Sequence, residues 1–196
     1  DHRDLHSCPT RRSSDLGAAS FYGPGHGDFP IAFRRKGGLA WLRERGVEHV
    51  LVANVDNLGA RVEPAVLGFH LDRRVEATVE VAPKWPGDLG GCPVLVDGRL
   101  QVLEGFRFPR EFDQDQVEVF NCNTFTFRLD ALDQEFPLSW FLVRKRVGKE
   151  EVIQFERLVG QVTARLECAY LVVPRTGRCN RDRKSTRLNS SHRIRS

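Results

Sequence analysis

Along most of this chain, segments in which apolar residues recur at helical spacing alternate with segments in which they recur at strand spacing. Residues 30 to 46 repeat apolar positions at helical spacing, with a break at Gly37-Gly38. The next segment, 49 to 54, is a continuous apolar run of the kind that forms a strand covered on both faces. A second helix is predicted from Pro64 to residue 73, because proline loses no hydrogen bond in the first turn of a helix.

The second half of the chain is richer in strand patterns. Residues 75 to 81 carry apolar side chains at alternate positions, so that these side chains share one face, which is typical of a strand. Asp97-Gly98 separates two β-rich runs and is a strong hairpin signal. The remaining predicted elements are strands at 92–97, 99–106, 120–127 and 168–173, a hairpin of 140–146 with 151–155, and helical turns at 129–133 and 156–165. This order predicts an α/β fold with a mixed sheet and no internal repeat.

The two ends of the chain fit neither pattern. Residues 1–16 and 182–192 resemble conceptual translations of sequencing adapters, with Cys8 the departure in the first. Methionine is absent, so we expect an internal piece of a longer protein. The predicted organisation is a non-native tail at 1–16, one partial natural domain at 17–181 and a second non-native tail at 182–196. Natural disordered tails rich in Arg and Ser are the alternative.

Setting the tails aside removes the excess of positive charge. The chain carries +4, residues 1–16 carry no net charge and residues 182–196 carry +4, so residues 17–181 are neutral. We therefore expect neither a nucleic-acid nor a membrane partner. No apolar run reaches membrane-spanning length, which predicts a soluble, cytoplasmic protein. Four singly placed cysteines are predicted to be buried free thiols, with disulfides as the alternative: Cys92, Cys122, Cys168 and Cys179.

The segment directly after the 49–54 run combines amides, a carboxylate and a glycine: Asn54-Val55-Asp56-Asn57-Leu58-Gly59-Ala60. A carboxylate just beyond a buried strand is a hard-oxygen ligand at the carboxyl edge of an α/β sheet. Asp56 is therefore a candidate ligand for Mg²⁺ together with substrate phosphates, and Asn54 a candidate partner for a ribose. The alternative is an Asx turn in which Asp56 or Asn57 caps the following helix.

Other polar motifs lie at the margins of predicted elements. Pro24-Gly25-His26-Gly27-Asp28 precedes the first helix, where two glycines let the backbone approach a ligand and N–H groups suit a phosphate or a base carbonyl. A plain turn with a helix cap at Asp28 is the alternative. We expect one polar cleft that also contains Gly90-Gly91, Glu104 and Phe120-Asn121-Cys122-Asn123. Each of these is also consistent with a structural role.

The order of these motifs resembles that of the eukaryotic-type UTP–glucose-1-phosphate uridylyltransferases and their bacterial relatives. Two further segments extend the resemblance, Ile153-Gln154-Phe155-Glu156 and Val173-Pro174-Arg175. The resemblance implies a Rossmann-like nucleotidyltransferase core, truncated at both ends, so that residues 17–181 are a partial catalytic domain. It implies an enzyme that forms UDP-glucose and pyrophosphate from UTP and glucose 1-phosphate with Mg²⁺.

The same resemblance implies roles for individual residues. Asp56 would hold magnesium and, with His26, take part in catalysis. Gly25 would contact the uracil, His26 the phosphate and sugar region, and Asn54 the ribose or phosphates. The glucose would be held by Gly91, Glu104, Asn121 and Asn123.

Departures from the family pattern limit what this chain is expected to do alone. A glycine-rich loop that wraps the UTP phosphates has no counterpart in residues 17–181, and Lys184, near the place of a phosphate-binding lysine, lies in the second tail. Cys122 and Thr124 also differ from the commoner residues. We expect an active parent protein and an inactive chain as written. The alternatives are a related N-acetylhexosamine-1-phosphate enzyme, which Gly25-His26-Gly27-Asp28 disfavours, a non-catalytic sugar-nucleotide-binding module, and a structural α/β domain.

Overall fold

A computed structural model describes residues 8–11, 19–22, 25–85, 88, 90–147 and 150–179. The strands are β1 (Cys8–Arg11), β2 (Ala19–Tyr22), β3 (His49–Ala53), β4 (Ala77–Pro83), β5 (Cys92–Val96), β6 (Arg99–Leu103), β7 (Val119–Arg128), β8 (Phe141–Val147), β9 (Glu150–Glu156) and β10 (Cys168–Val172). The α-helices are α1 (Phe29–Arg35), α2 (Gly38–Arg43) and α3 (Pro64–Arg73). Short 3₁₀ helices span His26–Asp28, Gly105–Arg107, Gln114–Gln116, Leu129–Leu132 and Val159–Ala164, and one turn spans Arg175–Arg178.

A mixed four-stranded sheet in the order β10-β4-β7-β3 forms the centre. Strands β4 and β10 are parallel, whereas β7 runs antiparallel to both β4 and β3. The carboxyl ends of β3, β4 and β10 therefore meet the beginning of β7 at one side of the sheet, which we call the carboxyl edge. In α/β proteins this is the side where ligands bind. The expected α/β fold with a mixed sheet is confirmed.

Both faces of the sheet are covered at β4. Ala77, Val79 and Val81 belong to the main apolar core, which includes Leu39 of α2 and Val162 of the 159–164 turn. Thr78, on the opposite face, contacts His70 of α3. Every residue from 77 to 82 is buried, and the strand predicted over residues 75 to 81 is confirmed as β4. Strand β3, predicted to be covered on both faces, is a half-buried edge strand.

Short-range signals in the sequence predict the turns well. Gly37 separates α1 from α2 with a φ of 80°, and the β5–β6 hairpin turns at Asp97 and Gly98 with φ of 50° and 77°. Two boundaries differ from expectation. Strand β6 ends at Leu103, so Glu104 lies just beyond it, and the helix predicted at 156–165 is a 3₁₀ helix over Val159–Ala164.

The four predicted free thiols are confirmed as free cysteines; all are buried except Cys168, which is half-buried. Within the part of the chain that the structure describes, no helix is long and apolar enough to cross a membrane. Strand β1 lies inside the predicted first tail and pairs with β2, while residues 182–196 lie outside the described residues. The non-native origin of both tails stays a prediction.

Candidate active site

The loop after β3 is built around Asn57. Its backbone forms two successive turns, in which the N–H of Asn57 donates to the carbonyl of Asn54 (3.1 Å) and the N–H of Ala60 donates to the carbonyl of Asn57 (3.0 Å). The buried side chain of Asn57 accepts from the N–H of Gly59 (3.3 Å) and donates to Oγ1 of Thr124 in β7 (3.2 Å). Asn57 therefore fixes the loop to the sheet.

Asp56, by contrast, is exposed at the carboxyl edge. The first residue before α3 is Glu63, and no side-chain hydrogen bond caps that helix. Asn57 does form the Asx turn of that alternative, because its side-chain oxygen accepts from the N–H two residues later, but neither Asp56 nor Asn57 caps α3. The buried amide of Asn57 holds the backbone of the loop, which leaves the exposed carboxylate of Asp56 available to a ligand.

A bulge at the start of β7 brings Asn121 and Asn123 together. Glu80 of β4 pairs with Thr124 but the next residue, Val81, pairs with Asn121, so Cys122 and Asn123 bulge out of the ladder. Asn123 has a φ of 53°. Nδ2 of Asn121 donates to Oδ1 of Asn123 (2.8 Å), whose N–H donates to Oδ1 of Asn121 (3.0 Å). The two amides are adjacent, as predicted, but the bulge brings them together.

Gly91 and Glu104 lie next to this amide pair. The N–H of Asn121 donates to the carbonyl of Gly91 at 2.7 Å. A Cβ on residue 91 would lie 2.9 Å from Oε1 of Glu104, so only glycine lets the backbone approach this carboxylate without displacing it. The structure thus brings together Gly91, Glu104, Asn121 and Asn123, the four residues predicted to hold a sugar.

The motif around His26 packs against the segment after β9. The N–H of Gly27 donates to the carbonyl of Arg157 (2.8 Å), and the N–H of Val159 donates to Nδ1 of His26 (2.9 Å). Gly25 has a φ of 93°, and a Cβ there would overlap the carbonyl oxygen of Arg157. The glycines are therefore required by a close backbone contact within the protein.

Asp28 does not cap the first helix. It occupies the N-cap position of α1 without a side-chain cap hydrogen bond, and its buried carboxylate pairs with Arg157. The guanidinium of Arg157 also lies 4.2 Å from the ring centre of Trp140. The expectation of a helix cap at Asp28 is therefore wrong, because a partner far along the chain takes the carboxylate.

The 159–164 turn joins the His26 motif to the amide cluster. Val159 donates to His26, and a Cβ on the next residue, Gly160, would lie 3.7 Å from Oε1 of Glu104. The same turn is bonded to β6, because Oγ1 of Thr163 accepts from the N–H of Val102 (2.8 Å), two residues before Glu104. Asn54 and Asp56 reach the same edge through β3, because Ala53 pairs with Thr124, the residue after Asn123.

The thiols near this edge are not suited to nucleophilic catalysis. A hydrogen bond with Cys179 and burial raise the pKa of Cys122 well above its usual range. Burial likewise raises the pKa of Cys92. Thiols that stay protonated are poor nucleophiles, so the site offers amides, carboxylates, an imidazole and backbone N–H groups, a set suited to binding and orientation.

Sequence reasoning missed two ion pairs near this edge, one buried and one half-buried. Arg178 pairs with Glu80, and Arg175 pairs with Asp88 between the rings of Trp85 and Phe120. The segment Val173-Pro174-Arg175 was part of the family resemblance, which was the available signal for this region. Nothing in the local sequence indicated that Arg178 is buried, because arginine is usually exposed.

Comparison with known proteins decides the family. The family model described as UTP–glucose-1-phosphate uridylyltransferase matches residues 3–179. The chain belongs to the UTP–glucose-1-phosphate uridylyltransferase family. The match begins inside the predicted first tail, so it does not mark a boundary at residue 16.

Curated members of the uridylyltransferase family extend well beyond this chain. The enzyme from Pyrus pyrifolia is 34% identical over 163 residues, which cover 78% of this chain and 35% of that protein. The enzyme from Hordeum vulgare is 31% identical over 180 residues, which cover 86% of this chain and 38% of that protein. The chain therefore spans little more than a third of the length of these relatives.

Solved structures in the uridylyltransferase family have the same fold. A UDP-glucose pyrophosphorylase variant from Leishmania major matches with a TM-score of 0.71 at 24% identity, covering 89% of this chain and 42% of that one. A UDP-glucose phosphorylase from Trypanosoma brucei matches with a TM-score of 0.73 at 24% identity, covering 85% and 41%. Another Leishmania major variant, solved in complex with UDP-glucose, matches with a TM-score of 0.66 at 28% identity, covering 79% and 39%.

Proposed function

We propose that the protein from which this chain comes transfers a uridylyl group from UTP to glucose 1-phosphate, releasing pyrophosphate and forming UDP-glucose. The observation that supports this proposal most is the polar cluster at the carboxyl edge, in which Gly91, Glu104, Asn121 and Asn123 lie together. Membership of the uridylyltransferase family supports the choice of reaction. The preference for glucose over other sugar phosphates is part of the proposal.

Glucose fits the chemistry of this cluster. A carboxylate accepts hydrogen bonds from two hydroxyl groups, and side-chain amides both donate and accept. Glu104 and the amides of Asn121 and Asn123 supply these groups on one side of the edge. The Asn121–Asn123 hydrogen bonds hold both amides in fixed orientations, which lowers the entropic cost of binding a polar ligand.

We assign the nucleotide to the residues around this cluster. We place the uracil against the backbone of Gly25, the ribose or phosphates near Asn54, and the phosphate and sugar region near His26. With Nδ1 of His26 accepting from Val159, the neutral imidazole carries its proton on Nε2, which is a donor for a phosphate oxygen. In-line attack of the sugar phosphate oxygen on the α-phosphate then needs orientation and charge stabilisation, with no protein nucleophile.

A magnesium ion fits Asp56 when the nucleotide supplies further ligands. Among the described residues, no group of three or more His, Cys, Asp or Glu side chains could hold a metal. Mg²⁺ commonly takes one or two carboxylates and completes its shell with water and substrate phosphates, and Asp56 is exposed at the right edge. When bound, the ion would offset the negative charge of the phosphates.

The test starts from the source DNA, re-sequenced across the junctions near residues 16 and 181 to recover a longer reading frame. The complete protein is expected to form UDP-glucose from UTP and glucose 1-phosphate with Mg²⁺, and the present chain is not. Asp56→Asn in the complete protein should lower the rate by roughly 100-fold or more, the scale of losing a group that stabilises transition-state charge. Asp72→Asn, an exposed aspartate of α3, is the matched control.

The outcomes separate the parts of the proposal. A complete protein that makes no UDP-glucose contradicts the reaction, and a preference for N-acetylglucosamine 1-phosphate contradicts the assigned sugar. UDP-glucose synthesis by the present chain alone contradicts the expectation that it is inactive. An Asp56→Asn enzyme with normal rate and normal Mg²⁺ dependence removes Asp56 from the site.

A further inference from the structure

A buried arginine joins the loop that carries Asp56 to the central strand of the sheet. Nε of Arg178 donates to Oε2 of Glu80 in β4 (3.0 Å), and its Nη2 pairs with the other carboxylate oxygen. The remaining branch, Nη1, donates to the backbone carbonyl of Arg61 (2.8 Å). One guanidinium therefore holds both a strand residue and the loop.

Backbone contacts strengthen this junction. A Cβ on residue 59, a glycine, would lie 2.8 Å from the carbonyl carbon and oxygen of Arg178, so the loop and the 177–178 segment are in direct contact. Nη1 of Arg61 donates to the carbonyl of Gly177 at 3.3 Å. The loop is thus held from residue 59 to residue 61 by the segment that carries Arg178.

The two anchors of the loop converge on one point of the sheet. Asn57 holds the loop to Thr124 of β7, and Arg178 holds it to Glu80 of β4. Glu80 and Thr124 are direct partners in the β4–β7 ladder. Both anchors of the loop therefore end on one pair of neighbouring residues in the sheet. Asp56, the exposed residue before Asn57, projects from this anchored loop.

Stability alone is a poor reason for this ion pair. The side chains of Glu80 and Arg178 are 1% and 7% exposed, and removing two charges from water costs as much as their attraction returns, so that apolar replacements are often neutral or stabilising. An apolar pair in place of Glu80 and Arg178 would lose the hydrogen bond to the carbonyl of Arg61, and with it the link that fixes the loop. The presence of this buried pair is better explained by its effect on the position of the loop.

We propose that Arg178, oriented by Glu80, is a positioning residue that holds the 57–61 loop so that the Asp56 carboxylate meets a divalent cation bound to the nucleotide phosphates. This inference rests on the proposed function, because it takes Asp56 as the metal-binding carboxylate. Arg178 itself touches neither metal nor nucleotide in this arrangement.

The experiment titrates Mn²⁺ with UTP into the isotopically labelled complete protein and follows the paramagnetic broadening of amide NMR signals in the 54–60 loop. Asp56→Asn identifies the metal ligand. Arg178→Gln removes the link to Arg61, and the double variant Glu80→Leu, Arg178→Met replaces the pair by apolar side chains that retain a packed interior. The control is Arg128→Gln, which removes an exposed ion-paired guanidinium from the opposite end of β7.

We expect Asp56→Asn to abolish the broadening, and both Arg178 variants to need about 10-fold more Mn²⁺, the scale of disturbing a residue that orients a metal ligand. Arg128→Gln should behave as the wild type.

If Asp56→Asn abolishes the broadening but the folded double variant binds Mn²⁺ normally, the positioning inference fails and the metal site stands. If Asp56→Asn changes nothing, or the wild type shows no broadening, both fall. If neither Arg178 variant gives a folded circular dichroism spectrum, the pair is structural and the inference is overturned.

Discussion

Nδ1 of His26 accepts a hydrogen bond of 2.9 Å from the backbone N–H of Val159, a residue 133 positions further along the chain. This contact joins the first polar motif to the turn that leads to Gly160 and Glu104. It also fixes the tautomer of the neutral imidazole, because Nδ1 accepts from the protein and the proton is therefore on Nε2.

The first prediction separates the two nitrogens of His26. Asn carries an acceptor oxygen near the place of Nδ1 but nothing at Nε2, whereas Ala carries neither. We expect His26→Ala to lower the free energy of unfolding by about 1 kcal/mol, because the Val159 N–H loses its partner. His26→Asn should stay near the wild type in urea denaturation. Both should lose most UDP-glucose synthesis in the complete protein, and full activity of His26→Asn would rule out a role for Nε2.

The second prediction concerns Gly25. Its φ is 93°, and a Cβ at this position would overlap the Arg157 carbonyl oxygen, which leaves no room for a side chain. We expect Gly25→Ala to lower the free energy of unfolding by roughly 2–4 kcal/mol. Gly68→Ala in α3 is the matched control, because nothing lies within 4 Å of a Cβ there, and it should raise stability by about 0.5–1 kcal/mol. Equal effects of the two substitutions in urea melts would contradict the close contact.

The third prediction distinguishes two neighbours in the loop after β3. Asn57 is buried and bonds Thr124 and Gly59, whereas Asp56 is exposed. Asn57→Ala should lower the free energy of unfolding by about 1–3 kcal/mol, because buried donors and acceptors lose their partners. Asp56→Ala should change it by no more than about 0.5 kcal/mol. A larger loss of stability from Asp56→Ala than from Asn57→Ala in thermal melts would reverse this assignment.

Local signals in the sequence were sufficient for most elements of the fold. The Asp97-Gly98 turn, Pro64 at the start of α3 and the break at Gly37 each act through the backbone conformation of one or two residues, so they can be recognised without the tertiary structure. The 3₁₀ character of 159–164 could not be recognised in this way. Its geometry depends on packing against β6 and on the His26 contact, which are distant in sequence.

The candidate site shows the same limit. Adjacency of Gly91, Glu104, Asn121 and Asn123 was predicted from the small and polar residues at the margins of strands, and the structure brings them together. Their roles toward a ligand stay predictions. The partners of Asp28 and Glu80 could not be predicted, because both are arginines, one half-buried and one buried, that only the chain topology brings to these carboxylates.

The fourth prediction concerns the pH dependence of stability. His70 is 1% exposed, with Nδ1 hydrogen-bonded to Thr78 (2.8 Å) and Nε2 to His49 (3.1 Å). Burial, then the positive charges of His49 and Arg128, lower its pKa from 6.5 to about 4. The unfolded chain therefore takes up this proton first as the pH falls, so His70 favours the fold fully above pH 6.5 and loses this contribution as the pH falls toward 4.

The loss is expected to be large enough to measure. Between pH 7 and pH 4.5, a pKa difference of this size corresponds to a loss of roughly 2–3 kcal/mol. We therefore expect the free energy of unfolding of the wild type to fall between pH 7 and pH 4.5 more steeply than that of His70→Gln, which keeps hydrogen-bonding groups but does not titrate. Urea denaturation at several pH values measures both slopes, and titrating groups that do not contact His70 affect the two proteins alike. Parallel slopes would mean that the folded protein takes up a proton at His70 as readily as the unfolded chain.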